Sequence, residues 1–343
     1  MGVPPSKMKK LSVCIPTFNR SGYLTRCLTI LAPQVSQFPD DVEIVISDNC
    51  SVDDTKNVVD RFSEQCTIRY FKNDENIGGN RNILSIFRSK AGGEFAWIIG
   101  DDDCPREGSI AKLMEILNRE KDIDYVYLNF LIEDIDEESK KAAYEGKIIN
   151  PKARQYFGSQ DLKEGRKEFD RIISDDRTGL CSLYSSVFRV STCRQAAIDL
   201  KISDDFENLN STFPHAVILI DTMHGKMAYN TGIPWLVCGT ECCWSRFFFA
   251  VHIHMPDFFD YQEKKGIPHD LVERQRREYF STYGRSILLG YFFNKLRDQN
   301  LPRMDEVQVF RTLRSSIKYP ELYIRGVEVV RLYLVSKLAR TDQ

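Results

Sequence analysis

The first 130 residues alternate short apolar runs with stretches of helical periodicity, and this alternation restricts the chain to few folds. Runs rich in β-branched and aromatic residues predict strands over residues 11–16, 42–48, 67–72, 94–100 and 124–132. Apolar positions at helical spacing predict helices over residues 21–35, 53–65, 78–90 and 106–120. Because the runs are apolar almost throughout, we expect an open α/β sheet with helices on both faces and right-handed crossovers.

Polar loops follow four successive strands of this predicted sheet: PTFNR, SDNCSVDDT, NDENIGGNRN and DDDCP. Open α/β sheets bind ligands beyond the carboxyl ends of their strands, so these loops are expected to form one rim and one site. No GxGxxG or Walker-type loop follows the first strand, which argues against the usual dinucleotide and P-loop sites.

Three consecutive carboxylates, Asp101, Asp102 and Asp103, end the fourth apolar run. Like charges this close repel one another, and a hard divalent cation shared with a diphosphate would offset that repulsion. The predicted cofactor is therefore Mn²⁺ or Mg²⁺. A solvated turn, or the start of the following helix, is the alternative, because Asp is favoured at both. In an extended segment residues i and i+2 share a face, so either Asp102 or the pair Asp101 and Asp103 should point at the metal.

Composition narrows the classes of function. The chain has 343 residues, 42% of them hydrophobic, which suffices for one large domain or two of ordinary size. Its 47 Lys and Arg balance 49 Asp and Glu, so no nucleic-acid partner is expected. The ten cysteines are scattered without a CxxC pair, as is typical of reduced cysteines in a cytoplasmic protein. No run approaches the roughly 18 apolar residues of a membrane span.

Taken together, LSVCIPTFNR, VEIVISDNCSVDDT, NDENIGGNRN and GEFAWIIGDDD resemble the nucleotide-binding half of family 2 glycosyltransferases. These enzymes have the Rossmann-like GT-A fold, and the motifs are most similar to the bacterial abequosyltransferase-like branch. The resemblance covers residues 10–130 well and the remainder loosely. It implies metal-dependent, inverting transfer of a sugar from a nucleoside diphosphate sugar to a hydroxyl of a glycan or lipid-linked acceptor in surface polysaccharide or glycolipid assembly. The expected divisions are a nucleotide-sugar-binding half (1–132), an acceptor-side half completing the catalytic domain (133–265) and a helical region (266–343).

Carried over by position, the resemblance predicts a set of residues against the donor: Pro16, Thr17, Arg20, Asp48, Asn49, Asn76, Gly79 and Arg81. Asp48 would hydrogen-bond the base. Asn49 stands where the family usually has a second Asp, which leaves the base open. Asp102 or Asp103 is expected as the metal ligand, with Asp101 near the ribose.

An inverting transfer also needs a base that removes the acceptor proton. The family supplies an Asp from a Glu-Asp pair about a dozen residues before a glycine turn, and counting back from Gly225 leads to residues 213–215. His215 is the polar residue there, and imidazole titrates in a suitable range. Asp204, Asp205 and Asp221 are the other candidates, and an ordinary histidine at a helix start is the alternative reading.

Further features lie in the second half. His252 and His254 would share a face of a strand, and the family often completes its metal shell with a late histidine, so His254 is a predicted ligand; core histidines are the alternative. Residues 179–190 predict one or two strands, and the charged stretch from 133 to 170 predicts a solvated loop. The basic, helical C-terminus either packs on the catalytic domain or contacts an anionic membrane peripherally.

Two other functions remain open from the sequence. A nucleotidyltransferase also holds Mg²⁺ with carboxylates on an α/β sheet, but IPTFNRSG is a poor version of its phosphate loop. A catalytically inactive sugar-nucleotide-binding protein is the second, because the expected acidic base is missing.

Overall fold

A computed structural model of the chain describes residues 8–133, 155–159, 161–176, 180–203, 206–238 and 244–294, together with 314, 318–320 and 327. Within these residues, eight strands form one sheet in the order β3-β2-β1-β4-β10-β6-β11-β9. Its strands are β1 (Leu11–Thr17), β2 (Val42–Asp48), β3 (Ile68–Lys72), β4 (Phe95–Ile98), β6 (Tyr125–Tyr127), β9 (Gly165–Glu168), β10 (Ser186–Arg189) and β11 (Met227–Asn230).

The first four strands pair in parallel with one another, as the alternating pattern predicts. β10 runs antiparallel to both β4 and β6, and β9 runs antiparallel to β11, so the sheet is mixed. The register pairs Thr17 with Asp48 and Asp48 with Lys72, which brings the carboxyl ends of β1, β2 and β3 to one level. The loops that follow these strands therefore start side by side.

The described helices include four that follow the predictions closely: α1 (Ser21–Val35), α2 (Thr55–Ser63), α3 (Gly79–Ser85) with a π-helical turn (Ile86–Lys90), and α4 (Ser109–Arg119). Later in the chain come α5 (Phe169–Asp175), α6 (Val190–Asp199), α7 (Leu209–Thr212), α8 (Pro214–Met223), α9 (Trp244–Lys264) and α10 (His269–Asn294). Every residue of β2 is buried, because helices cover both of its faces.

The strand predicted over residues 124–132 is divided in two, which corrects the sequence analysis. β6 joins the large sheet, whereas β7 (Phe130–Glu133) joins a smaller sheet with β5 (Cys104–Pro105), β8 (Gln155–Phe157) and β12 (Leu236–Cys238). Asn129 lies at the division. Its side chain accepts from Ser159 N at 2.9 Å and donates to Gly232 O at 2.6 Å, so it bonds to neighbouring backbone where a regular strand would continue.

The expected strand carrying His252 and His254 is also wrong, because both lie in α9. Buried residues recur at helical spacing along this helix, at Met255, Phe258, Phe259 and Gln262. Of the strand or strands predicted over 179–190, only β10 forms, after a 3₁₀ turn at Leu183–Ser185. Asp204, Asp205, most of the charged stretch and most of the C-terminal segment lie outside the described residues. Among the residues that are described, no helix has the length and apolar character of a membrane span.

Candidate functional site

The loops after β1, β2, β3 and β4 meet at the carboxyl edge of the large sheet. Thr17 O accepts a hydrogen bond from Asn49 N at 2.9 Å, which joins the first two loops. Thr17 Oγ1 donates to Asp101 Oδ2 at 2.8 Å, which joins the first loop to the fourth. Asn49 Nδ2 donates to Asn76 Oδ1 at 2.7 Å, which joins the second loop to the third. Four segments far apart in sequence thus form one hydrogen-bonded rim.

Asp101, Asp102 and Asp103 are the most concentrated charge on this rim, and all three are buried, at 5%, 8% and 3% exposure. Arg20 spans the first two, with Nε 2.8 Å from Asp101 Oδ1 and Nη2 3.0 Å from Asp102 Oδ2. Burial raises the pKa of Asp101 to about 7, and the charge of Asp102 adds to the rise although Arg20 and Thr17 oppose it. Burial therefore disfavours a full negative charge on Asp101, where three carboxylates lie close together.

The segment that carries these carboxylates is a turn. β4 ends at Ile98, and Asp103 N donates to Gly100 O at 3.3 Å, closing a four-residue turn. Alternation of faces requires an extended segment and does not apply in this turn, where Asp101 and Asp102 both contact Arg20.

Gly100 is required by this arrangement. A Cβ on Gly100 would lie 2.8 Å from Asp102 Oδ1 and 3.1 Å from Asp103 Oδ2. Gly100 N also donates to Asp103 Oδ2 at 2.7 Å. The absent side chain leaves space that two carboxylates border, so their oxygens converge.

Asp48, the predicted hydrogen-bond partner of the nucleotide base, is fully buried, and its carboxylate binds groups of the protein itself. Its Oδ1 accepts from Ser51 N at 2.8 Å, and its Oδ2 accepts from the Tyr70 hydroxyl. Both oxygens order the second loop. The sequence analysis missed Tyr70, although its place on β3, two residues before the paired Lys72, offers a signal.

Asn49 is similarly engaged. Its Oδ1 accepts from Asn73 Nδ2 and from Ile77 N, each at 3.0 Å, while its Nδ2 donates to Asn76. An aspartate could make the first two contacts but could not donate the third. The departure from the family's second Asp therefore has a structural consequence, since the amide holds the third loop.

A lysine beneath the third loop was also missed. Lys90 Nζ donates to Ser47 Oγ at 2.7 Å and to Asn73 Oδ1 at 2.8 Å. Asn82 joins the group by accepting from Ser47 Oγ at 2.6 Å. Burial lowers the pKa of Lys90, and the charge of Asp48 opposes the change. This network connects the end of β2 to the loop and to α3.

The remaining residues that were predicted to contact the nucleotide sugar lie along the same edge. Pro16 is on β1, Gly79 begins α3 and Arg81 lies within α3. A Cβ at Gly79 would meet no other atom within 4 Å. The next residue, Asn80, donates from Nδ2 to Ser211 O at 2.7 Å, which connects the rim to the segment that precedes α8.

His215 is the second residue of α8 and is buried, with 3% exposure. Its Nε2 lies 3.0 Å from Leu180 O, an acceptor, so Nε2 carries the proton and Nδ1 keeps its lone pair. Nδ1 has no hydrogen-bond partner among the described residues. Burial lowers the pKa of His215 to about 4, so the imidazole is neutral at pH 7.

The two other second-half candidates have partners of their own. Asp221 Oδ1 accepts from the Tyr261 hydroxyl at 2.5 Å and pairs with Lys265 Nζ at 2.7 Å. His254 Nε2 lies 3.1 Å from Phe206 O, and its Nδ1 lies 3.5 Å from Asp257. In the described part of the chain, no three His, Cys, Asp or Glu side chains form a group that could hold a metal ion. The structure therefore does not assemble His254 with the aspartates of the rim.

Comparisons with known proteins identify relatives. The family model "Glycosyl transferase family 2" matches residues 12–185. Abequosyltransferase RfbV of Salmonella typhimurium is 30% identical over 236 residues, 66% of this chain and 66% of that protein. GalNAc(5)-diNAcBac-PP-undecaprenol beta-1,3-glucosyltransferase of Campylobacter jejuni is 34% identical over 140 residues, 40% of this chain and 44% of that protein. The alignment thus spans about two thirds of the first relative and less than half of the second.

Solved structures are similar in fold. The crystal structure of Staphylococcus aureus TarS 1-349 superposes with a TM-score of 0.56 at 14% identity, covering 97% of this chain and 92% of that one. The same protein in complex with UDP-GlcNAc gives a TM-score of 0.57 at 13% identity, with the same coverage. At this identity the likeness concerns the fold alone.

Proposed function

The chain belongs to glycosyltransferase family 2, and we propose that it transfers a sugar from a nucleoside diphosphate sugar to an acceptor hydroxyl. Its fold is of the GT-A type, and the resemblance of its motifs to the family is confirmed by the family model. The observation that carries the proposal is the rim: four loops joined by hydrogen bonds around three buried carboxylates, at the edge where open α/β sheets bind ligands.

The donor is proposed to lie across this rim, with its nucleotide on the first three loops. The third loop, held by Asn49, would form one wall of the base site. Asp48 is proposed to act by fixing the second loop, since both of its oxygens are used internally. Arg20 and Thr17 lie between the nucleotide loops and the aspartates, where a diphosphate would pass.

Asp102 and Asp103 fit a divalent cation, because their oxygens converge on the space beside Gly100. Mg²⁺ and Mn²⁺ are commonly held by one or two carboxylates, with substrate phosphates and water completing the shell. When bound, the cation would neutralise phosphate oxygens on the departing nucleoside diphosphate.

We propose His215 as the base of an inverting transfer, in which the acceptor oxygen attacks the anomeric carbon on the face opposite the leaving group. Its Nδ1 would accept the proton of the acceptor hydroxyl as the oxygen bonds to the anomeric carbon and the nucleoside diphosphate leaves. Leu180 O fixes the tautomer this requires. Asp221 is the weaker candidate, because Lys265 and Tyr261 already occupy its carboxylate.

The acceptor is proposed to be a glycan or lipid-linked glycan of a bacterial surface polysaccharide. The support comes from two bacterial relatives, an abequosyltransferase and a glucosyltransferase that acts on an undecaprenol-linked substrate. We place the reaction in the cytoplasm, with peripheral contact to the membrane through the basic C-terminal region. Co-sedimentation with anionic and neutral vesicles tests that contact, and equal binding to both would contradict it.

The function is tested by nucleotide-sugar turnover and by thermal shift with UDP, GDP, CDP and dTDP, each with and without Mn²⁺. At least one nucleotide should raise the melting temperature in a metal-dependent way. Asp102→Ala and Asp103→Ala should each lower turnover by about 100-fold or more, because charge on the leaving group loses its stabilisation. Asp60→Ala is the matched control, since Asp60 is an exposed carboxylate on α2. Full turnover in both rim variants would refute the metal role.

One observation favours a second candidate, a sugar-nucleotide-binding protein without catalysis. No acid stands at residues 213–215, where the family usually supplies its base, and the histidine there, His215, is only 3% exposed. Metal-dependent donor binding by calorimetry, with no nucleoside diphosphate released across an acceptor panel, would select this candidate.

A further inference from the structure

Arg20 contacts two of the three rim aspartates. Its guanidinium bridges Asp101 and Asp102 through two different nitrogens, at 2.8 and 3.0 Å. The other side of the group lies over the ring of Tyr23, 4.1 Å from the ring centroid. The Arg20 side chain is 21% exposed, against 7% and 9% for its two partners. The arginine thus has access to solvent, whereas the carboxylates do not.

A buried cluster of carboxylates needs a positive charge whether or not a donor is present. Removing a carboxylate from water costs several kcal/mol even after the protein relaxes, unless an opposite charge offsets it. In the free protein Arg20 supplies that charge. Arg20 is the residue that precedes α1, so a change in its side-chain rotamer requires no movement of the helix.

One of these two carboxylates is also a place where a divalent cation would act. Asp102 is both a partner of Arg20 and a proposed metal ligand, and two cations at one carboxylate repel each other. A diphosphate, in turn, offers the paired oxygens that a guanidinium binds in bidentate fashion. When a sugar donor binds together with its metal ion, the metal would therefore displace Arg20 from Asp102, and the diphosphate would give the guanidinium a new partner.

We infer that Arg20 is an internal counter-ion, which competes with the divalent cation for Asp102 and turns to the diphosphate when the donor binds. This inference rests on the proposed function. Its consequence is that Arg20 weakens the binding of metal alone and strengthens the binding of nucleotide, so that metal and nucleotide bind cooperatively. An arginine that only stabilised the fold would affect both ligands in the same direction.

The experiment compares wild type, Arg20→Met and a matched control, Arg26→Met. Arg26 is an exposed arginine on the same helix whose guanidinium lies 5.5 Å from the Tyr23 ring centroid. Electron paramagnetic resonance of free Mn²⁺, without nucleotide, gives the metal affinity. Thermal shift with UDP, GDP, CDP and dTDP at saturating Mn²⁺ gives the nucleotide response.

Arg20→Met should bind Mn²⁺ about 10-fold more tightly than wild type, within the usual range of coupling between sites. It should also lose most of the nucleotide-induced shift, whereas Arg26→Met should match wild type in both measurements. Arg20→Lys retains a charge but cannot span both carboxylates, so it should bind Mn²⁺ with intermediate affinity and serves if Arg20→Met does not fold.

Unchanged or weaker Mn²⁺ binding by both Arg20 variants, with wild-type protein binding Mn²⁺, would overturn the inference and leave sugar transfer intact. Absence of Mn²⁺ binding to all variants would overturn the inference together with the metal role. Sugar transfer is judged separately, by release of nucleoside diphosphate from the donor.

Discussion

Replacing His215 with Gln gives a quantitative test of the environment of the proposed base. The amide of Gln can still donate a hydrogen bond to Leu180 O, which lies 3.0 Å from Nε2 of His215, but Gln does not titrate. Burial lowers the pKa of His215 from 6.5 to about 4, so the folded protein prefers the neutral ring. At about 1.4 kcal/mol per pH unit, that interval corresponds to about 3 kcal/mol of stability.

The sign follows from where protons bind. Between pH 6.5 and about 4 the unfolded chain binds a proton at His215 that the folded chain does not, so wild-type stability falls as the pH falls through this window. The free energy of unfolding of wild type should therefore decline relative to His215→Gln, by about 2 kcal/mol from pH 7 to pH 5. Below pH 4 the difference between the two proteins should be constant.

The measurement is urea denaturation of both proteins at pH 7, 6, 5 and 4.5, with the difference in unfolding free energy plotted against pH. Other titrating groups are common to both proteins and cancel in that difference. A difference that stays constant from pH 7 to pH 4.5 would refute the assignment of His215 as a buried neutral imidazole. The variant should also lose turnover at pH 7 if Nδ1 is the base, while nucleotide binding persists.

Two further substitutions test the rim. Gly100→Ala places a Cβ 2.8 Å from Asp102 Oδ1, so turnover should fall about 10-fold or more, on the scale of a misplaced reacting group. The control is Gly22→Ala, whose Cβ meets nothing within 4 Å and which should keep wild-type turnover. Equal turnover by the two variants would contradict the role of Gly100. Asn49→Asp replaces the donor to Asn76 with a carboxylate, so the nucleotide KM should rise with little change in kcat, and an unchanged KM in a steady-state assay would argue against a loop-positioning role.

The nucleotide half of the fold could be predicted because each of its signals is local. The helix of residues 21–35 and the strand of residues 42–48 have the bounds that their apolar patterns predict. The order of polar loops then followed from the rule that parallel strands end at one edge, and the hydrogen bonds of Thr17 confirm that the loops meet. Strand continuity past Tyr127 could not be predicted, because the division at Asn129 depends on backbone groups about 30 and 103 residues away.

The roles of individual polar residues were less accessible, because they depend on partners from other strands. Nothing in SDN reveals that Asp48 is occupied by a tyrosine of the neighbouring strand, since that contact arises from sheet register. The histidines of α9 illustrate another limit: a run of aromatic residues suits a strand or a buried helix equally over a short window. Only over a longer window does the spacing of the buried positions, residues 255, 258, 259 and 262, identify the segment as a helix.

The three aspartates show why sequence register alone could not identify the metal ligands. A strict D-x-D reading assumes that the chain stays extended, so that alternate residues share a face. Here the strand ends at Ile98 and the chain turns at Gly100, which lets Asp101 and Asp102 bind one guanidinium while Asp103 folds back on the turn. Because a Cβ at position 100 would crowd the carboxylates of Asp102 and Asp103, Gly100 helps to determine where these charges lie.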